Sequence, residues 1–125
     1  MLQNNGLLES EKLYQIVVKG MQEKKAVDIA VMDLRHIPNA IADYFILCSG
    51  NSASQIDAIA DSVENEVKKI DGQFPFNKEG LENKSWVLID YVDVVAHVFQ
   101  KEQREFYGLE ELWGDAKIEN IPSKT

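Results

Sequence analysis

The sequence has one cysteine, three prolines and no long apolar run. Cys48 has no second cysteine to pair with, so an intramolecular disulfide and a zinc site with several thiolate ligands are both excluded. No apolar stretch approaches the roughly 18 residues of a membrane span, and residues 1–10 lack the basic start and apolar core of a secretory signal. These absences predict a cytoplasmic protein of a reducing compartment.

Positive charge is also scarce. The 125 residues carry a net charge of -8, and residues 26–100 hold 12 acidic side chains against five basic ones. Affinity for nucleic acid depends on Lys and Arg neutralising phosphates, so the composition predicts little direct binding to RNA. A basic protein is the expected partner of such a chain.

Hydrophobic spacing predicts an α/β fold. A first helix places Leu13, Val17 and Met21 on one face, and two strands follow, the second being a continuous apolar run over residues 44–48. Ser52 and Gln55 then form a capping box for a helix that ends near Gly72, and Ile70 falls on its apolar face.

The remaining elements complete a predicted mixed sheet of four or five strands flanked by helices. Residues 74–77 are expected to form a short edge strand, residues 86–91 and 93–99 a hairpin, and residues 101–107 a short helix. Leu109, Leu112 and Trp113 are expected to pack back on the sheet. Residues 1–114 thus form one domain, and residues 115–125 are expected to be a polar, frayed tail.

The chain offers no clear catalytic or metal-binding set. Ser49, Gly50 and Asn51 connect a strand to a helix, but the further glycines or the lysine of a phosphate-binding loop are missing. Cys48 with His36 or His97 would make a nucleophile and base, but Cys48 ends an apolar strand, where a cysteine usually packs as a small hydrophobe. No catalytic residue, metal site or cofactor is predicted.

Aromatic and acidic residues converge on the hairpin instead. Alternation places Trp86, Leu88 and Asp90 on one face of the first arm, and Asp93, Val95, His97 and Phe99 on one face of the second arm. Aromatic anchors beside charged groups are typical of protein interfaces, whereas most tryptophans are core residues. The sequence leaves both interpretations open for Trp86 and Trp113.

Ordered motifs along residues 13–113 resemble the ribosome silencing factor family, also called RsfS or Iojap-like. These motifs are Ala42-Asp43-Tyr44-Phe45-Ile46, Ser49-Gly50, Glu79-Gly80, Trp86-Val87-Leu88-Ile89-Asp90-Tyr91, His97-Val98-Phe99 and Leu112-Trp113. The resemblance implies a nucleotidyltransferase-like fold without catalytic residues. It also implies binding of the large ribosomal subunit through large-subunit ribosomal protein fourteen, which blocks joining of the small subunit and represses translation in starvation, and it implies a homodimer.

The resemblance also implies which residues meet the partner. They are Glu79, Trp86, Asp90, Tyr91, Asp93 and His97, with Trp86 and Tyr91 as apolar anchors and Asp90 and Asp93 facing Lys or Arg. Val92 departs from the family pattern, which commonly has glycine there. A β-branched residue disfavours a positive φ angle, so a turn of different shape is expected.

Two alternatives remain open. The same contact suits a factor that assists large-subunit assembly. The other alternative is a degenerate nucleotidyltransferase that uses magnesium with some of the carboxylates of Asp57, Asp61, Asp90 and Asp93.

Overall fold

The computed structural model describes residues 9–122 and contains one mixed sheet with helices on both faces. Its elements are α1 (Glu9–Glu23), β1 (Val27–Asp33), β2 (Tyr44–Gly50), α2 (Ala53–Asp71), β3 (Asn77–Glu79), β4 (Trp86–Asp90), β5 (Val94–Gln100), α3 (Lys101–Tyr107), α4 (Leu109–Leu112) and β6 (Lys117–Ile121). The strand order is β3-β4-β5-β2-β1-β6. The α/β class is confirmed, but the sheet has six strands rather than four or five.

The centre of the sheet is the parallel pair β2 and β5, and all other neighbours are antiparallel. Every residue of β2 is buried, which confirms the predicted strand covered on both faces. The first face packs against α1 and α2 around residues such as Val17, Ile46 and Val63. The second face packs against α4 and the segment after β1, around Phe45, Phe99 and Leu109.

Local sequence signals account for α2. The Ser52 hydroxyl accepts a hydrogen bond from the Gln55 amide (3.1 Å), and Gly72 ends the helix in the left-handed conformation. The Gln55 side chain accepts from the Asn51 amide (2.7 Å) and donates to the carbonyls of Lys24 and Lys25 (3.3 and 3.2 Å). The predicted cap is confirmed, and it also fixes the α1–β1 turn against α2.

One predicted strand boundary and the predicted burial of two side chains are wrong. The edge strand β3 is Asn77–Glu79 rather than residues 74–77, and Ile70 is 49% exposed at the end of α2. Leu109 is buried as expected, but Leu112 is 71% exposed.

The predicted frayed tail is also wrong for most of its described length. Lys117–Ile121 form β6, which pairs with β1 from Ile29↔Ile121 to Asp33↔Lys117. The strand escaped prediction because its side chains are mostly polar and exposed, as on many edge strands. The structure does not describe residues 1–8 or 123–125. The prediction that residues 1–10 are not a signal segment therefore falls mostly outside the described residues. None of the helices within residues 9–122 has the length and apolarity needed to cross a bilayer.

The two long helices approach closely at Gly20. A Cβ atom on Gly20 would lie 2.7 Å from the Val63 Cα, and the Ser62 hydroxyl donates to the Gly20 carbonyl at 2.7 Å. The closest neighbours of that Cβ are backbone atoms of α2, which cannot move aside as a side-chain end can. Close contact of α1 with α2 therefore requires glycine at this position.

We expect Gly20→Ala to lower the free energy of unfolding by about 1–3 kcal/mol, because overpacking outweighs alanine's better helix propensity. Urea denaturation followed by circular dichroism measures this. Gln15→Ala, at an exposed position of the same helix, is the matched control and should be neutral or slightly stabilising. Equal stability of the Gly20 variant and the wild type would contradict the close-packing account.

Candidate functional site

The second face of the sheet is uncovered over β3 and β4. Along β4, Val87 and Ile89 are buried against the α1–α2 side, whereas the alternate residues are only half-buried. The β3–β4 register places Asn77 opposite Asp90 and Glu79 opposite Leu88, so these β3 side chains share that half-buried face. We call this surface the open face; it consists of Asn77, Glu79, Trp86, Leu88 and Asp90.

Trp86 forms one end of the open face and is held by an aromatic cluster. Its indole Nε1 donates a hydrogen bond to His97 Nδ1 at 3.0 Å. Its ring stacks on Phe99 (centroids 5.3 Å apart) and contacts Tyr107 (4.6 Å). Because the indole N–H is already used and one side of the ring is packed, Trp86 belongs partly to the core. The rest of its ring is a rigid apolar surface that is only half-buried.

His97 lies on the same face but beneath the surface. It is 2% exposed, and its ring lies between Trp86 and Phe45, whose centroid is 4.6 Å away. Burial lowers the pKa of His97 to about 3, so the imidazole is neutral at physiological pH. The expected direct contact of His97 with a partner is therefore wrong in this structure. His97 instead positions Trp86.

Tyr91 lies on the opposite face. It is 5% exposed and belongs to the cluster packed under α1 and α2, next to Val94 and Ile89. Burial raises the pKa of its phenol. Its expected role as an exposed apolar anchor is wrong. The alternation that places Trp86 and Asp90 on one face places Tyr91 on the other, so this error was avoidable from the sequence.

The β4–β5 turn carries the acidic part of the surface. The Asp90 carboxylate accepts a hydrogen bond from the Val92 amide at 2.7 Å, and Asp93 is exposed. The Asp93 carbonyl accepts from the amides of Asp43 and Tyr44 (2.8 and 3.1 Å), which fixes the turn to the start of β2. Val92 adopts φ +76°, although a β-branched residue disfavours such an angle.

Gly80 sets the position of Glu79 relative to Trp86. It adopts φ +82°, and a Cβ there would overlap the Trp86 carbonyl. A side chain at this position would push β3 away from β4. The Glu79-Gly80 pair of the sequence thus provides an exposed carboxylate followed by a residue that permits tight pairing.

A cleft of about 570 Å³ lies at the opposite end of the sheet, where β2 and β5 end. Its central cation, Arg104, has a side chain 12% exposed, and it donates to both carboxylate oxygens of Glu110 (3.3 and 3.0 Å), to the Ser49 hydroxyl (3.3 Å) and to the Asp28 carbonyl. These contacts tie α3 and α4 to β1 and β2. Arg104 therefore has a structural role in holding these elements together.

The structure does not assemble the considered catalytic groups. Cys48 is buried on the α1–α2 side, where burial raises its thiol pKa to about 12, while His97 lies on the other face. The imidazole of His36 is hydrogen-bonded to the Asp115 carbonyl at 2.9 Å.

The considered magnesium ligands are likewise dispersed. Asp57 lies on α2 and forms an ion pair with Lys84 (3.0 Å), whereas Asp90 and Asp93 lie at the hairpin turn. Within residues 9–122 no three His, Cys, Asp or Glu side chains are grouped as metal ligands.

Sequence reasoning missed some of the surface. Leu88 and Asn77 belong to the open face. Alternation predicts that Leu88 shares a face with Trp86 and Asp90, but the sequence alone gives it no binding role. Ile41, which is 73% exposed, precedes Ala42 and Asp43 at the rim of a groove that also includes Asp93. A single isoleucine in a loop carries no periodic signal, so only the structure places it beside the hairpin turn.

Comparison with known proteins gives consistent matches. Residues 8–125 match the family described as "Ribosomal silencing factor during starvation" (RsfS). The chain is 42% identical over 112 residues to "Ribosomal silencing factor RsfS" of Halalkalibacterium halodurans, covering 87% of this chain and 92% of that protein. A crystal structure of a Chromobacterium violaceum protein has a TM-score of 0.79 at 30% identity, covering 86% and 88% of the two chains.

A more distant relative has a different name. "Mitochondrial assembly of ribosomal large subunit protein 1" of Mus musculus is 29% identical over 102 residues, covering 78% of this chain and 43% of that protein.

The pH dependence of stability tests the buried state of His97. Its pKa is about 3 in the folded chain against 6.5 for the ordinary group, so between these values the unfolded chain binds a proton that the folded chain does not. Well above pH 6.5 the imidazole is neutral in both states, and its titration does not affect stability. As the pH falls below 6.5, protonation of His97 in the unfolded chain lowers the free energy of unfolding. Lowering the pH from 7 to 5 should reduce the free energy of unfolding by about 2 kcal/mol through His97.

Urea denaturation of the wild type and of His97→Gln at both pH values isolates this contribution. Glutamine keeps an acceptor for the Trp86 indole but does not titrate, so the variant should lose about 2 kcal/mol less than the wild type. The same loss in both proteins would show that His97 is accessible to protons in the folded state.

Proposed function

This chain belongs to the RsfS family of ribosomal silencing factors, and on that basis we propose that it binds the large ribosomal subunit through large-subunit ribosomal protein fourteen. Bound there, it blocks joining of the small subunit and represses translation when nutrients are scarce. The protein acts by binding, without a catalytic step, and its place of action is the cytoplasm, where subunits join.

The open face is the observation that carries this proposal. It combines the rigid apolar surface of Trp86 and Leu88 with the carboxylates of Glu79 and Asp90, and the exposed Asp93 lies at its end. An apolar centre with a charged rim is the usual anatomy of a protein interface. The acidic rim suits a basic ribosomal protein better than an RNA backbone, so the contact runs through protein, with little direct RNA binding.

The proposed set of contact residues is smaller than the set that the resemblance implied. Glu79, Trp86, Asp90 and Asp93 face the partner, and Asp90 also holds the turn through the Val92 amide. His97 acts beneath the surface by orienting Trp86.

The proposal also includes a homodimer, as the family resemblance implies. Its interface is separate from the open face, so that each copy keeps a free partner surface. A resemblance to nucleotidyltransferases stays a prediction about the fold only.

Charge reversal at the rim tests the surface. Asp93→Lys and Glu79→Lys should each weaken co-sedimentation with isolated large subunits about tenfold, because an attraction to a basic partner becomes a repulsion of on the order of 1–1.5 kcal/mol. Binding of the wild type should weaken as salt rises. The measurement is the bound fraction over a titration of subunits.

Asp61→Lys is the matched control, since it makes the same charge change at an exposed position of α2 on the other side of the sheet. Equal weakening by Asp61→Lys would mean that net charge, rather than the open face, governs the interaction. Absence of any wild-type binding would overturn the proposed function itself.

Large-subunit assembly is the second candidate, favoured by the name of the mouse relative. It uses the same surface at a different time. Cells lacking the protein should accumulate precursor large subunits during growth if assembly is the main role. A defect confined to starved cells supports silencing, and sucrose-gradient profiles from both conditions separate the two.

A further inference from the structure

The turn between β4 and β5 contains an exposed valine in an unfavourable backbone conformation. Val92 has φ +76° and is 54% exposed. The other non-glycine residues with positive φ in the described part of the chain are polar: Lys25, Asp28, Asn39 and Lys84. A β-branched side chain at such an angle is a genuine outlier.

Hydrogen bonds on both sides fix this conformation. The Val92 amide donates to the Asp90 carboxylate (2.7 Å), and the Tyr91 amide donates to the Val94 carbonyl (2.9 Å). The Asp93 carbonyl is bound by the amides of Asp43 and Tyr44. The turn cannot relax without breaking contacts that join β2, β4 and β5, so the valine side chain is held in solvent.

Folding does not explain why this residue is valine. Glycine adopts the same φ without strain. The side chain is more than half exposed and belongs to neither core cluster, so its methyl groups add little to packing. Strained backbone conformations of this kind cluster at functional sites.

The neighbourhood indicates what kind of function that is. Ile41, 73% exposed, lines a groove of about 210 Å³ together with Asp43 and Asp93, and Asp93 directly follows Val92. Arg35 also lines this groove, but its guanidinium is paired with the Asp33 carboxylate at 2.9 Å. Two exposed apolar side chains therefore flank an acidic pair whose backbones are hydrogen-bonded to each other. Apolar points beside carboxylates complement an apolar recess bordered by Lys or Arg.

We propose that Val92 is an affinity-determining contact of this protein with its basic ribosomal partner, inserting into an apolar recess bordered by cationic side chains, with Ile41 as the second apolar point. This inference rests on the proposed function and extends its surface from the open face around the turn to the start of β2. The same valine that adds affinity for the partner lowers the stability of the fold through its strained backbone.

Val92→Gly should therefore change stability and binding in opposite directions. The melting temperature should rise by about 2–6 °C, because strain is relieved, less the entropy that glycine adds to the unfolded chain. Affinity for isolated large subunits should fall about tenfold, because the variant lacks the methyl groups that the complex would bury. Thermal unfolding and co-sedimentation measure the two effects on the same preparation.

Two further variants separate side chain from backbone. Val92→Ala keeps a Cβ at positive φ but removes the methyl groups, so it should bind as weakly as Val92→Gly with a smaller gain in melting temperature. Ile70→Ser removes an exposed apolar side chain at the end of α2 and should bind like the wild type.

The outcomes distinguish this inference from the proposed function. If Val92→Gly binds like the wild type while Asp93→Lys binds weakly, the valine contact is wrong and the proposed function stands. If Val92→Gly loses both stability and affinity, the side chain serves the fold and the inference is also wrong. If the wild type does not bind large subunits, the proposed function fails first.

Discussion

The parallel pairing of β2 with β5 organises the rest of the molecule. Both strands are almost entirely buried, and their register from Tyr44↔Val94 to Gly50↔Gln100 fixes which residues face each layer. It places Phe45, Leu47, Val95 and His97 on the second face, where His97 supports Trp86. At the other end of the pair, the Asp93 carbonyl meets the start of β2. Both ends of the proposed partner surface therefore depend on this register.

Unequal coverage of the two faces leaves the proposed binding surface exposed. The helices α1 and α2 cover the first face as far as β4, where Val87 and Ile89 are fully buried. On the second face, α4 and the segment after β1 cover the middle of the sheet but leave β3 and the outer side of β4 exposed. In this uncovered area Asn77 and Glu79 are exposed, whereas Trp86 and Leu88 pack partly against the core.

Predictability from sequence followed the strength of the local signals. The cap of α2, the buried run of β2 and the hairpin were predictable because capping residues, continuous apolar runs and alternation each have a physical cause within a few residues. β6 was not, since a mostly polar edge strand depends on β1, far away in the chain. For the site, alternation placed Trp86 and Asp90 on the same face of β4, as the structure has them. It did not reveal that Phe45 and Trp86 bury His97, because that depends on the tertiary arrangement.

The pairing of β6 with β1 has a consequence for synthesis. β1 lies near the beginning of the described chain, and β6 lies near its end, with roughly 90 residues between their paired positions. A nascent chain therefore displays the unpaired backbone of β1 until almost the whole domain has been translated. Exposed strand edges of this kind recruit other unfinished chains. The strand that covers this edge of β1, β6, is the last to be synthesised of those described.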